Sequence, residues 1–194
     1  MNELFPIFIK ADQINILLVG GGEIAEEKLH FLLKSSPKAN VKVVAKEASD
    51  WVRKTAFDFD SVDLEIRPFK DSDVNDKHFI IAATNNHELN DHIKWLANSK
   101  NILLNVADKS ALCDFYLGGI VTKGDLKLAI STNGKSPIMA KRLRQFFEAE
   151  LPDNLDEVID ELKNLRVKLN GSFERKLDAL KTLTKQLVNE HTNH

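Results

Sequence analysis

The stretch Ile16-Leu17-Leu18-Val19-Gly20-Gly21-Gly22-Glu23-Ile24-Ala25 sets the architecture of this chain. Its apolar run reads as a strand buried on both faces, and a helical pattern begins directly after the glycines. Gly20, Gly22 and Ala25 stand at G-x-G-x-x-A spacing, between strand and helix as a dinucleotide-binding turn requires. Gly20 permits the tight turn. Gly22 leaves the backbone bare for a pyrophosphate, and Ala25 lets the helix pack close to the strand. The helix then directs free N–H groups and its positive dipole end at the phosphates. Gly20, Gly21 and Gly22 are therefore cofactor-binding candidates, against the competing reading of a purely structural turn.

Working outward, Ile24, Lys28, Leu29, Leu32 and Leu33 recur at helical spacing until Pro37. Val41, Val43, Val44 and Ala45 form a second strand, completing a strand-helix-strand unit. An acid that holds the adenosine ribose is expected where that strand ends. The chain has Lys46-Glu47 there: Glu47 suits the ribose, and Lys46 suits a 2′-phosphate or is a solvated loop lysine. NAD and NADP thus stay open on the residues alone. Leu64 and Ile66 suggest a third strand at an edge, 78–83 a fourth and 102–106 a fifth. Thr84-Asn85 follows the fourth, where Asn85 and Glu88 have capping-box spacing. The next helix carries Ile93, Leu96 and Ala97 inward, and Ala107-Asp108 follows the fifth strand. Ligands of open α/β sheets lie beyond the carboxyl ends of the strands, so Thr84, Asn85 and Asp108 belong beside the glycine turn. Residues 5–9 are a further strand candidate.

The pattern then changes. Residues 115–122 and 126–131 flank Lys123-Gly124-Asp125 as a hairpin. Ser136-Pro137 starts a helix with Met139, Leu143, Phe146 and Phe147 on one side, and Pro152-Asp153 ends it. Asn154 and Glu157 cap a following helix, and Asn170-Gly171-Ser172 separates it from another. The expected organisation is an α/β Rossmann-type parallel sheet over 1–113, a small hairpin-and-helix region over 114–151, and a helical part over 152–194. With 194 residues, 43% hydrophobic and 29% charged, the chain can build such a core. A net charge of -2 gives no global pull toward nucleic acid or a membrane surface. Cys113 is the sole cysteine, which excludes an internal disulfide and a cysteine-clustered zinc site. No apolar run spans a bilayer and the N-terminus lacks a signal-peptide pattern, so a cytoplasmic protein is expected.

Asp108 is the first candidate for chemistry: a carboxylate beside a nicotinamide can take a proton while the cofactor takes a hydride. A turn aspartate is the competing reading, and Asp114 is a rival. His87 and His92 do not share a helix face, so no transition-metal site is expected. Lys135, Lys141, Arg142 and Arg144 form a basic run, with Lys123, Lys127 and Lys109 nearby in sequence. This suits a polyanionic ligand or a solvated face, and lacks the aromatic interleaving of a nucleic-acid surface. Ser131-Thr132-Asn133-Gly134-Lys135-Ser136 joins hydroxyls and a glycine turn to a helix start, a substrate-binding candidate or an ordinary loop.

Taken together, Phe5-Pro6-Ile7-Phe8, the run from Val19 through Lys28, Ala82-Ala83-Thr84-Asn85, Asn105-Val106-Ala107-Asp108 and the loop from Ser131 through Pro137 resemble the precorrin-2 dehydrogenase family, the siroheme synthase N-terminal type. The resemblance reaches to about residue 150. It implies NAD-dependent oxidation of precorrin-2 to sirohydrochlorin, and in bifunctional members Fe²⁺ insertion to give siroheme. It also implies a homodimer, nucleotide contacts at Glu23-Ile24 and at Lys46-Glu47, an essential aspartate at Asp108, and a serine/threonine position at Ser131-Thr132. An anionic tetrapyrrole would be met by the basic run, including Lys135, Lys141 and Arg142. Departures are Lys46 after the second strand, Lys109-Ser110 after Asp108, and Asn133 for a glycine; asparagine also tolerates a left-handed backbone. The rivals are an NAD(H)-sensing module without turnover and a dehydrogenase for a small anionic metabolite.

Overall fold

Apolar side chains leave the central strands toward both faces, so each face must be covered by helices. The computed structural model describes residues 3–107 and 109–168. The strands are β1 (Asn15–Val19), β2 (Asn40–Ala45), β3 (Val62–Ile66), β4 (Phe79–Ala82) and β5 (Leu103–Val106). They form one parallel sheet in the order β3-β2-β1-β4-β5. Leu18 lies between Val43 and Ile81 in the register, and Leu17 between Lys42 and Ile80. Ile16, Leu18, Val41, Val43 and Ile81 pack with Ala25, Leu29 and Leu33 of α1 (Glu23–Ser35). Leu17, Val19, Val44, Ile80, Ala82 and Leu104 pack with Ile93, Leu96 and Ala97 of α3 (His87–Lys100). This is the Rossmann-type α/β architecture the sequence led us to expect.

Several local expectations change. Residues 5–9 form no strand: Phe5 is 86% exposed, and the Pro6 ring removes a ladder donor. A helix unforeseen in the sequence, α2 (Asp50–Asp58), is capped by Ser49, whose Oγ accepts from the Val52 N–H at 3.2 Å. Its buried residues are only Val52 and Thr55, with Ala56 half-buried and Phe57 left exposed, so the periodic signal is weak. The cap of α3 is Asn86 and not Asn85: Asn86 Oδ1 accepts from the Leu89 N–H at 3.1 Å. Asn101, in the left-handed region at φ 56°, closes the same helix.

Further on come β6 (Gly119–Lys123) and β7 (Leu126–Ile130), paired as a two-stranded sheet, then α4 (Pro137–Glu150) and α5 (Leu155–Lys168). β6 starts later than expected because Phe115 instead packs its ring edge-on to Phe79, 5.1 Å between centroids. The described residues fall into two compact units, one from 3–119 with 131–140 and the other from 120–130 with 141–168. The expected helix after Ser172 lies outside the described residues.

Candidate dinucleotide site

The glycine turn occupies the carboxyl end of β1. Gly20 has φ 120°, and a Cβ on it would lie 2.3 Å from the Ala83 carbonyl oxygen. Its N–H donates to the Val44 carbonyl at 3.0 Å. Gly21 is equally confined: a Cβ would lie 2.4 Å from the Glu47 carbonyl oxygen, and its own carbonyl accepts from the Ser49 N–H at 2.9 Å. Gly22, the N-cap of α1, has no atom within 4 Å of a built Cβ. Two glycines therefore shape the turn and the third leaves open space at a helix N-terminus. That combination fits a pyrophosphate, and the residues that would hold it are Gly22 and the first-turn amides of Glu23 and Ile24. Ala25 is fully buried against the sheet, as the fingerprint requires. Lys46 and Glu47 are exposed just past β2.

The chain order reverses between β1 and β4, which makes the gap between their exits the binding crevice of such sheets. Thr84 and Asn85 stand at the β4 exit. Asn85 is exposed. The Thr84 hydroxyl donates to Asn90 Oδ1 at 2.6 Å, and Asn90 Nδ2 donates to the Thr84 carbonyl at 3.0 Å. Thr84 is thus engaged with α3 through a residue that the sequence reading passed over. The available signal was Asn90 lying three residues before Ile93 on the inner helix face.

At the β5 exit, Ala107 N–H donates to the Ala82 carbonyl at 3.0 Å. Asp108 lies outside the described residues. The loop beyond it is pinned by Cys113, whose Sγ accepts from the Val106 N–H at 3.2 Å and lies 3.4 Å from the Lys109 carbonyl. Burial pushes this thiol above its ordinary pKa, so it acts as a packed thiol. The rival Asp114 has both oxygens engaged: Lys94 Nζ donates to one at 2.6 Å and the Leu104 N–H to the other at 3.0 Å. It fastens the returning chain to β5.

In the 131–136 loop, Lys135 N–H donates to the Thr132 carbonyl at 3.1 Å across Asn133 and Gly134, both left-handed at φ 55° and 74°. The expected left-handed tolerance of Asn133 is used. Ser131 Oγ accepts from the Asn133 N–H, Thr132 Oγ1 from the Ser136 N–H, and Ser136 Oγ from the Met139 N–H. Lys141 and Arg142 fall in the second compact unit. The basic run divides: Arg144 pairs with Glu148, Lys123 with Asp153 and Lys109 with Asp91. Lys135, Lys141 and Arg142 are exposed and form no ion pair among the described residues. His92 pairs with Asp71, and no group of three or more His, Cys, Asp or Glu is placed to hold a metal among the described residues. No helix among them is long and apolar enough to cross a membrane.

Comparison with known proteins bears on both halves of the chain. Residues 7–119 match the family described as "Putative NAD(P)-binding", and residues 123–150 match "Sirohaem biosynthesis protein central". The siroheme synthase of Pseudoalteromonas atlantica is 37% identical over 153 residues, 79% of this chain and 32% of that protein. Siroheme synthase 1 of Klebsiella pneumoniae subsp. pneumoniae is 38% identical over 158 residues, 81% and 33% respectively. The siroheme synthase of Vesicomyosocius okutanii is 38% identical over 175 residues, 90% and 37%. The chain spans about a third of the length of these curated relatives. A solved structure described as "SirC, precorrin-2 dehydrogenase" shares the fold at TM-score 0.75 and 23% identity, over 93% of this chain and 89% of that one. With its glycine turn open at Gly22 and its first 119 residues matched from residue 7 on, the chain belongs to the putative NAD(P)-binding family.

Proposed function

We propose that this chain oxidises precorrin-2 to sirohydrochlorin with NAD⁺. The observation that carries the reading is the open helix N-terminus at Gly22, in a chain similar to siroheme synthases over most of its length. The bound nicotinamide supplies a hydride acceptor. Glu23 and Ile24 amides hold the pyrophosphate, and Glu47 with Lys46 meets the ribose. Asp108 takes the proton that leaves the macrocycle, so the substrate loses one hydride and one proton. Ser131, Thr132, Asn133, Gly134, Lys135 and Ser136, with Lys141 and Arg142, receive the substrate carboxylates. Fe²⁺ is a second substrate: sirohydrochlorin takes it up and releases its pyrrole protons. The region over 114–151 makes a homodimer, and the protein works in the cytoplasm.

The test is absorption spectroscopy of the purified chain with precorrin-2 and NAD⁺, with and without Fe²⁺. Asp108→Ala is expected to slow sirohydrochlorin formation by about 100-fold or more, the scale of a lost proton acceptor, with NADH affinity nearly unchanged. Undiminished turnover in that variant removes Asp108 from the mechanism. A wild-type chain that binds NADH but produces no sirohydrochlorin removes the dehydrogenase reading in favour of an NAD(H)-sensing module.

A further inference from the structure

The binding crevice has two lips, the glycine turn at the β1 exit and residues Ala83 to Asn86 at the β4 exit. They meet where the Ala83 carbonyl fills the space a Gly20 side chain would need, beside the bond from the Ala83 N–H to the Val19 carbonyl at 2.8 Å. The β4 lip also borders the β5 exit, since Ala82 accepts from the Ala107 N–H. A shift of this lip would therefore change the gap offered to a dinucleotide and move the segment that leads to Asp108. Its ends are held by that Ala83 N–H bond and by the Asn86 cap of α3, and between them Thr84 is held by one side chain. Asn90 is 2% exposed, on the inner face of α3, and uses both ends of its amide on Thr84. The Thr84 hydroxyl in turn lies 3.3 Å from both the carbonyl and the N–H of Asn86, the cap of α3. The hydroxyl's one proton is given to Asn90, so it has none to donate to a ligand, which meets the lip through its backbone and Asn85.

We propose that Asn90 is a positioning residue for the cofactor: by locking the hydroxyl and carbonyl of Thr84 it sets the width of the crevice between the β4 exit and the glycine turn. The proposal rests on the reading that NAD(H) binds in this crevice. A purely architectural Asn90 would support folding and leave cofactor affinity untouched, and the two roles separate experimentally.

The experiment measures NADH affinity by fluorescence titration, alongside melting of the ligand-free chain. Four variants are compared with wild type: Asn90→Asp, Thr84→Val, Thr84→Ser and Leu33→Ala. Asn90→Asp keeps the acceptor for the Thr84 hydroxyl and sets a carboxylate against the Thr84 carbonyl. Thr84→Val keeps shape and removes the hydroxyl, while Thr84→Ser restores it. Leu33→Ala opens a cavity near the far end of α1 and serves as a control that only destabilises. Asn90→Asp and Thr84→Val are expected to weaken NADH binding about three- to tenfold, the effect of one lost hydrogen bond. Thr84→Ser should bind nearly as wild type, and Leu33→Ala should melt earlier with its affinity unchanged. If Asn90→Asp does not fold, the valine and serine pair at Thr84 decides. Wild-type affinity in both Asn90→Asp and Thr84→Val overturns the proposal while the cofactor reading stands. So does a loss of affinity in Leu33→Ala as large as theirs. A wild-type chain that does not bind NADH overturns both.

Discussion

Gly20 and Gly22 stand two positions apart and answer to different forces. At Gly20 the backbone is left-handed and a methyl would press on the Ala83 carbonyl. Gly20→Ala should therefore cost about 2 kcal/mol or more in a urea titration. At Gly22 the backbone is extended and the space beyond is empty. Gly22→Ala should leave stability within about 1 kcal/mol of wild type but weaken NADH about tenfold or more, because the methyl occupies phosphate space. A second residue-scale effect is electrostatic. Asp73 is buried, which alone would raise its pKa; two Arg67 bonds of 2.7 and 2.6 Å and the Lys70 N–H outweigh this and hold the carboxyl below its ordinary value. A carboxylate with a depressed folded pKa adds stability that is complete above its unfolded pKa of about 3.9 and lost as pH falls through the lower folded value. Asp73→Asn should thus be less stable by about 2 kcal/mol at neutral pH, with the gap to wild type narrowing below about pH 4 in acid titrations.

At the scale of elements, the hairpin of β6 and β7 is fastened at its tip. Gly124 has φ 53°, and a Cβ there would lie 1.7 Å from the Asp156 carboxylate in the first turn of α5. That carboxylate accepts from the Asp125 N–H at 2.7 Å, while Lys123 pairs with Asp153 just before the helix. The acid at the helix start also meets the positive dipole end. Gly124→Ala should lower stability by about 1–3 kcal/mol, through backbone strain and displacement of Asp156, as read by thermal melting. The helices differ in how much they announced themselves. Glu23–Ser35 and His87–Lys100 carry full apolar stripes and were legible. Asp50–Asp58 buries little, and its Ser49 cap is a local signal that apolar periodicity does not register.

For the whole molecule, α4 leaves Ile138 71% and Phe146 56% exposed, with Met139 also uncovered. Apolar side chains on one helix in this number accord with the proposed homodimer. Light scattering should give twice the chain mass, and Phe146→Asp should shift the protein to the chain mass; an unshifted mass takes Phe146 out of the interface. What the sequence determined by itself was the class of fold and the location of its glycine turn. Buried strands announce themselves as apolar runs, and the spacing from Gly20 to Ala25 expresses steric needs met within a few residues. Only the tertiary structure decided the strand order, the roles divided among Gly20, Gly21 and Gly22, and the partners of Thr84 and Asp114. Lys94 reaches Asp114 across 20 positions, and Gly21 meets the loop after β2. Such contacts depend on which strands lie side by side and in what register, which short-range periodicity does not encode.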